Sequence, residues 1–187
     1  MDSSPNWHEL PDRTDDDRIS RFFLHKGVIA LAKRATRGRS YQFMRVVSIN
    51  RRLFRPFLAW NARLMPFGKL ERRQTEAVIL RTAWLCRSRY EWTQHVAIGK
   101  SVGLTDEQID AIGADPTNEV LDETTRALLA AVPEVLDSHA LNPETFDALG
   151  EFLTPAAILE FVMLVGNYAM LAAALSSFGV PLERAWR

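Results

Sequence analysis

Apolar residues recur along this chain at three- and four-residue intervals, and no segment sustains a period of two, so the pattern predicts helices throughout and an all-helical single domain. Phe22, Phe23, Val28, Ile29 and Leu31 mark a helix beginning near Arg18, closed by a basic segment with Gly38 as its C-cap. Tyr41 to Ile49 reads as a short second helix. Asn50 caps a third, in which Leu53, Phe57, Trp60 and Leu64 form a stripe expected to face the core, while Pro56 bends the helix or delays its start. After a turn at Met65-Pro66-Phe67-Gly68, the stretch Leu70 to Leu85 is rich in good helix formers and contains neither glycine nor proline.

Ser88-Arg89-Tyr90-Glu91 has the form of a capping box that ends this helix near Arg87 and opens another to about Ser101, closed by Gly103. Thr105-Asp106-Glu107-Gln108 repeats the signal for a helix to Ile112. A loop around Asp115-Pro116 leads to a helix from Asp122 to Leu136 that contains Pro133. Asn142-Pro143 and Thr154-Pro155 each set a capping residue before a proline suited to a first helical turn. The second of these opens a nearly continuous apolar helix, Ala156 to Ser177, which needs burial on most sides, in the core or against another subunit. Phe178-Gly179-Val180-Pro181 ends it.

Composition narrows the functional classes. The 187 residues suit one domain, 18–187, preceded by an arm, 1–17, whose two prolines and six acidic residues suggest a mobile or surface-draped segment. With 23 basic against 23 acidic residues, no net charge recruits nucleic acid. The apolar runs read as interrupted before membrane-spanning length, and the N-terminus lacks a signal-peptide pattern, so a soluble cytoplasmic protein is expected. The single cysteine, Cys86, cannot form an internal disulfide.

The chemistry concentrates between Cys86 and His95. On a helix opened by Ser88, the side chains of Ser88, Glu91 and His95 share one face, and a carboxylate one turn from an imidazole can fix its tautomer or hold it protonated. Glu91 and His95 also have ligand-compatible spacing, but a third metal ligand would have to come from Glu76, His8, His25 or His139, none of them in a metal-binding motif. No glycine-rich phosphate loop is present either, and neither metal nor cofactor is expected. The plain reading of these residues stands beside the chemical one: Glu91 as half of a capping box, Glu76 as a mid-helix surface residue, Tyr90, Trp84 and Trp92 as core aromatics, His95 as a structural histidine.

Glu76, Leu80-Arg81, Tyr90-Glu91-Trp92 with His95, Gly103-Leu104-Thr105-Asp106-Glu107, Gly166-Asn167-Tyr168 and Phe178-Gly179-Val180-Pro181-Leu182-Glu183 together resemble the carboxymuconolactone decarboxylase family, grouped with the alkylhydroperoxidase D-like proteins, over roughly Met44 to Glu183. The resemblance implies the all-helical bundle of that group, a small-molecule substrate, and a homo-oligomer built as a dimer or a multiple of dimers. The peroxidase branch carries a glutamate, a Cys-x-x-Cys motif and a following histidine. Glu76 and His95 match, but Ser88 and Glu91 stand at the two cysteine positions, and Cys86 lies two residues before Ser88, toward the opposite side of a helix.

A thiol peroxidase needs an attacking thiolate and a resolving thiol, so an acid/base set remains. His95 supplies a proton, Glu76 or Glu91 orients it, Ser88, Tyr90 and Tyr168 offer hydrogen bonds, and Trp92 walls an apolar ligand. The expected activity is lyase chemistry on a carboxylated lactone or aromatic-derived acid. The alternatives are an alkylhydroperoxidase-related protein and a non-catalytic ligand-binding or assembly protein. The approach of Glu76 to His95 is implied only by the resemblance, since a straight helix would set Glu76 roughly 18 Å from Ser88 along its axis.

Overall fold

The local signals become eight helices in a computed structural model that describes residues 5–14, 41–65 and 67–183, with no strand among them. The helix expected from Arg18, with its Gly38 cap, lies outside the described residues. The eight are α1 (Tyr41–Ser48), α2 (Arg51–Leu64), α3 (Arg72–Leu85), α4 (Arg89–Ser101), α5 (Asp106–Ala114), α6 (Glu123–Ser138), α7 (Pro143–Gly150) and α8 (Pro155–Ser177). Most start where a side chain can satisfy the free N–H groups of a first turn. Asn50, Asp122, Asn142 and Thr154 each accept from backbone N–H groups two or three residues on, and Thr105 pairs reciprocally with Gln108. Pro56 and Pro133 lie inside α2 and α6 without dividing them.

The organising element is α3, which packs against α4, α5, α6 and α8. Its Ala77, Val78, Ile79, Leu80 and Ala83 are fully buried, and with neighbours on all sides it needs no polar face. The other long element, α8, contributes Phe161, Leu164, Val165 and Leu175 to the same core. By length and composition α8 is long and apolar enough to cross a membrane, which corrects the expectation of interrupted runs. Half of its most apolar window is buried inside the molecule, where it serves as a core helix.

Its single charge, Glu160, accepts from the backbone of Lys69 and Leu70, holding the turn that delivers the chain into α3. The outward side of α8 is less covered than the sequence suggested. Leu159 is 64 % exposed and Met170 55 %, with Met163 between them also open.

The stripe predicted for α2 is offset from the one that packs. Phe54 and Leu64 are buried, whereas Leu53 is 61 % exposed and Trp60 lies at the surface, its Nε1 donating to Asn167 Oδ1. The reason is that α2 lies over α8 as a cover: Asn61 Oδ1 accepts from Asn167 Nδ2, which turns Asn61 inward and Leu53 outward.

Between α3 and α4 the chain reverses within three residues. Arg87 takes the left-handed conformation (φ 52°), Arg87 N–H bonds to Trp84 O, and Ser88 N–H reaches back to Ala83 O, the pattern of a Schellman C-cap with arginine where glycine is usual. This reversal makes α4 double back along α3. The described part of the arm, residues 5–14, drapes over the turn. His8 N donates to Arg87 O, Arg13 N to Phe178 O, and Trp7 packs against Trp84 and Trp92. Gly179, at φ 57°, sits so close to the Pro11 carbonyl that a Cβ there would collide with it.

Truncation of the core and removal of a cap should differ in scale. Phe161→Ala is expected to cost about 3–5 kcal/mol and Thr105→Ala about 1 kcal/mol, measured by denaturant unfolding.

Candidate functional site

Because α4 doubles back, His95 arrives beside Glu76, nineteen positions earlier in the chain. His95 Nδ1 lies 2.6 Å from Glu76 Oε2, and the other carboxylate oxygen accepts from Arg72 Nη2 at 2.7 Å. Glu76 is 0 % exposed. A buried carboxylate is tolerated when both oxygens are bonded to donors, and a contact of this length between nitrogen and oxygen requires a proton between them. With Nδ1 so occupied, Nε2 is the ring nitrogen left for a ligand. Tyr168 from α8 meets the imidazole edge to face, ring centroids 5.1 Å apart.

His95 lines a half-open cavity of about 150 Å³ among α1, α2, α4 and α8. Its walls are mainly apolar, with Phe43, Phe57, Met65, Ile98, Leu171 and Leu175, and they include Glu91, Gln94 and Tyr168. Glu91 is buried, and neither carboxyl oxygen has a hydrogen-bond partner among the described residues. Burial pushes its carboxyl up to about 8, and the nearby Ser88 hydroxyl opposes this in part without reaching the geometry of a regular hydrogen bond. At neutral pH Glu91 is a neutral acid able to donate. The Tyr168 hydroxyl, whose one hydrogen bond is a long contact to Met65 Sδ, is raised well above the usual tyrosine range, first by burial and then by Glu76 and Glu91, and stays a protonated donor.

Several expected roles change. The capping box at Ser88 does not form: Ser88 occupies the N-cap position of α4 without a cap hydrogen bond, because the Schellman turn fixes its backbone and Glu91 turns inward. Ser88 lines a separate outer recess of about 290 Å³, bounded by the arm and by residues 175–182. The Tyr90 ring borders both recesses, but its hydroxyl donates to Glu183 Oε1 and accepts from Phe43 N–H, latching α1, α4 and the C-terminal segment together. It is not free to hold a ligand. Trp92 lies off the cavity, in an aromatic cluster with Trp84 and Trp7.

Arg81 bonds to the carbonyls of Ile112 and Gly113 at the end of α5, a structural role. Burial, then Glu91, raises the half-buried Cys86 thiol to about 11, so it is not a thiolate at neutral pH. Among the described residues no three His, Cys, Asp or Glu side chains converge as a metal-ligand set. His25 lies outside the described residues. The residue that sequence reasoning missed is Gln94. Its signal was position: it sits on the Glu91-His95-Ile98 stripe of a helix that packs inward.

Residues 52–134 match the profile of the Carboxymuconolactone decarboxylase family, which bears out the resemblance read from the sequence. No curated protein matches the chain. Among solved structures, an uncharacterized peroxidase-related protein from Silicibacter sp. TM1040 superimposes on 100 % of this chain and 97 % of its own, with a TM-score of 0.75 at 13 % identity. An Agrobacterium tumefaciens protein of unknown function, proposed as an antioxidant defence protein AhpD, covers 67 % of this chain and 86 % of its own, with a TM-score of 0.60 at 21 % identity. The debrominase Bmp8 in complex with 2,3,4-tribromopyrrole covers 87 % and 90 %, with a TM-score of 0.69 at 16 % identity. These likenesses establish the all-helical fold.

Glu91 should leave a signature in stability. The folded protein keeps its proton to about pH 8, whereas the ordinary glutamate value is 4.5. The stability attributable to that proton is therefore complete below the unfolded value and lost as pH rises toward 8, at up to about 1.4 kcal/mol per pH unit. Unfolding free energies of Glu91→Gln should lack this slope between pH 5 and 8. Parallel slopes in the two proteins would contradict a protonated Glu91.

Proposed function

Taking the chain as a carboxymuconolactone decarboxylase-like protein, we propose that it is a small-molecule enzyme that moves protons with the Glu76–His95 pair, without a thiol, metal or organic cofactor, on a compact carboxylated lactone or aromatic-derived acid. The observation that carries the reading is the Arg72–Glu76–His95 chain, its glutamate and histidine buried, opening onto an apolar cavity. In the decarboxylation, the bond to the leaving carboxylate breaks, carbon dioxide departs, and the electron pair passes into an enolate on a neighbouring carbonyl. His95 delivers a proton from Nε2 to the carbanionic carbon and recovers one from water. Glu76, fixed by Arg72, orients the ring through Nδ1, while Tyr168 offers a neutral donor to the developing oxyanion. Apolar walls keep water from the enolate. The high-lying thiol of Cys86 and the absence of a resolving partner do not favour peroxide reduction.

We propose further that the soluble, cytoplasmic protein pairs with a second copy through α8. Ala156, Leu159, Met163, Gly166, Met170 and Ala173 face outward at alternating three- and four-residue spacing. The stripe is symmetric about the point between Met163 and Gly166, so a two-fold axis there sets the large Met163 against the small Gly166, Leu159 against Met170 and Ala156 against Ala173. Such a face is self-complementary.

Carbon dioxide release from a panel of carboxylated lactones and aromatic acids tests the chemistry. Glu76→Gln and His95→Ala should each lower kcat/KM by about 10²–10⁴-fold while Cys86→Ser leaves it unchanged. Hydroperoxide turnover with an external dithiol that vanishes in Cys86→Ser would overturn the reading. Light scattering should give a dimer or a multiple of one, and Met163→Glu with Met170→Glu should shift it to monomer. A monodisperse wild-type monomer at micromolar concentration would refute the pairing.

A further inference from the structure

On α4, Glu91, Gln94, His95 and Ile98 fall at i, i+3, i+4 and i+7, the positions of one helical stripe, and all four line the 150 Å³ cavity. Two of them carry polar atoms with no hydrogen-bond partner among the described residues. Gln94 is 6 % exposed and its Nε2 has no such partner. Glu91 is 2 % exposed and both its oxygens are unpartnered. A buried polar group left in this state is destabilising, so three such atoms on two residues of one cavity wall form a costly arrangement unless something meets them. Around them the walls are ring faces and aliphatic chains, chiefly Phe57, Tyr168 and Leu171.

We propose that Gln94 and Glu91 form a two-donor oxyanion site that receives the carbonyl or enolate oxygen of a single small ring, and that Gln94 is a specificity-determining residue of this protein. The inference rests on the acid/base reading of the cavity and specifies its ligand. Size favours a single ring, because about 150 Å³ of half-open cavity is matched by one benzene-sized ring. Donor chemistry sets the anchoring atom. An amide N–H donates only, and a carboxyl group held neutral by burial contributes an O–H, so the two together match an oxygen that gains negative charge, as the carbonyl oxygen does when a carboxyl group departs from the adjacent carbon. His95, one residue from Gln94 and one turn from Glu91, is then placed to protonate the carbon of the same ring.

Charge sets the limit on substituents. Among the described residues lining the cavity no lysine or arginine is present, and Arg72, outside that lining, bonds Glu76 through Nη2, so a ligand with several fixed negative charges is disfavoured.

Phenol, whose oxygen mimics the enolate, and toluene, of the same size without an oxygen, are the probes. Binding is measured by ligand-observed NMR titration on wild type, Gln94→Leu and Glu91→Gln, with circular dichroism confirming the fold of each. The expected result is that wild type binds phenol at least 10-fold more tightly than toluene. Gln94→Leu should lose this preference while retaining toluene, and Glu91→Gln, which keeps an N–H donor, should retain part of it. Because binding is read without turnover, a failure of the catalytic reading leaves the binding result standing. Equal affinity for phenol and toluene, a preference unchanged in Gln94→Leu, or a cavity that takes only water and neither probe would overturn the proposal.

Discussion

A carboxylate with no solvent exposure sits in the central helix of this bundle, and the placement of its two partners explains much of the architecture around it. Glu76 is shared between Arg72, one turn before it on α3, and His95, delivered by α4. An unpaired charge in this position would cost several kcal/mol, so the α3–α4 reversal that delivers the imidazole is a condition for tolerating the glutamate at all. That reversal depends on Arg87 in the left-handed region and on the Ser88 N–H reaching Ala83 O. The draped arm, with His8 bonded to Arg87 O and Trp7 stacked beside Trp84 and Trp92, covers the same turn from outside.

The cavity follows from the way α1, α2 and α8 close over the exposed edge of this pair. Tyr90 and Glu183 join α1 to α4, and the Asn61–Asn167 contact joins α2 to α8. These polar ties fix the walls, and on the α4 wall Glu91 Oε1 and Oε2 and Gln94 Nε2 have no hydrogen-bond partner among the described residues. Glu76 is held by two donors, whereas Glu91 has no such partner among the described residues and its carboxyl is raised to about 8 by burial. Two carboxyl groups in contrasting surroundings bracket a histidine, an arrangement suited to dividing orienting and donating roles.

Much of this was legible in the sequence where the cause is local. Asn50, Thr105, Asp122, Asn142-Pro143 and Thr154-Pro155 each marked a helix start that formed, since a cap depends on residues within one turn. What depends on packing was not legible. Spacing along the chain could not bring Glu76 to His95, because that contact is made across a reversal. Ser88 and Glu91 have the letters of a capping box, yet the turn before them already fixes the backbone and the carboxyl group goes inward. Tyr90 and Trp92 looked like ligand-facing aromatics, and tertiary partners, Glu183 for one and the Trp84–Trp7 cluster for the other, engage them elsewhere. Leu53 and Trp60 had the right period for a core face and the wrong phase, since only the contact with α8 determines which side of α2 turns in.

The central claim, that Glu76 holds His95 through Nδ1 so that Nε2 addresses the cavity, is open to direct observation by nitrogen-15 NMR of histidine-labelled protein. The chain contains 4 histidines, and a His95→Gln variant identifies the resonances of interest. The account predicts a protonated Nδ1, in a strong hydrogen bond to a carboxylate, with the Nε2 resonance shifting when phenol enters the cavity. An Nε2–H tautomer with a bare Nδ1, unmoved by ligand, would mean that the proton belongs to Glu76 and that the pair is a structural tie.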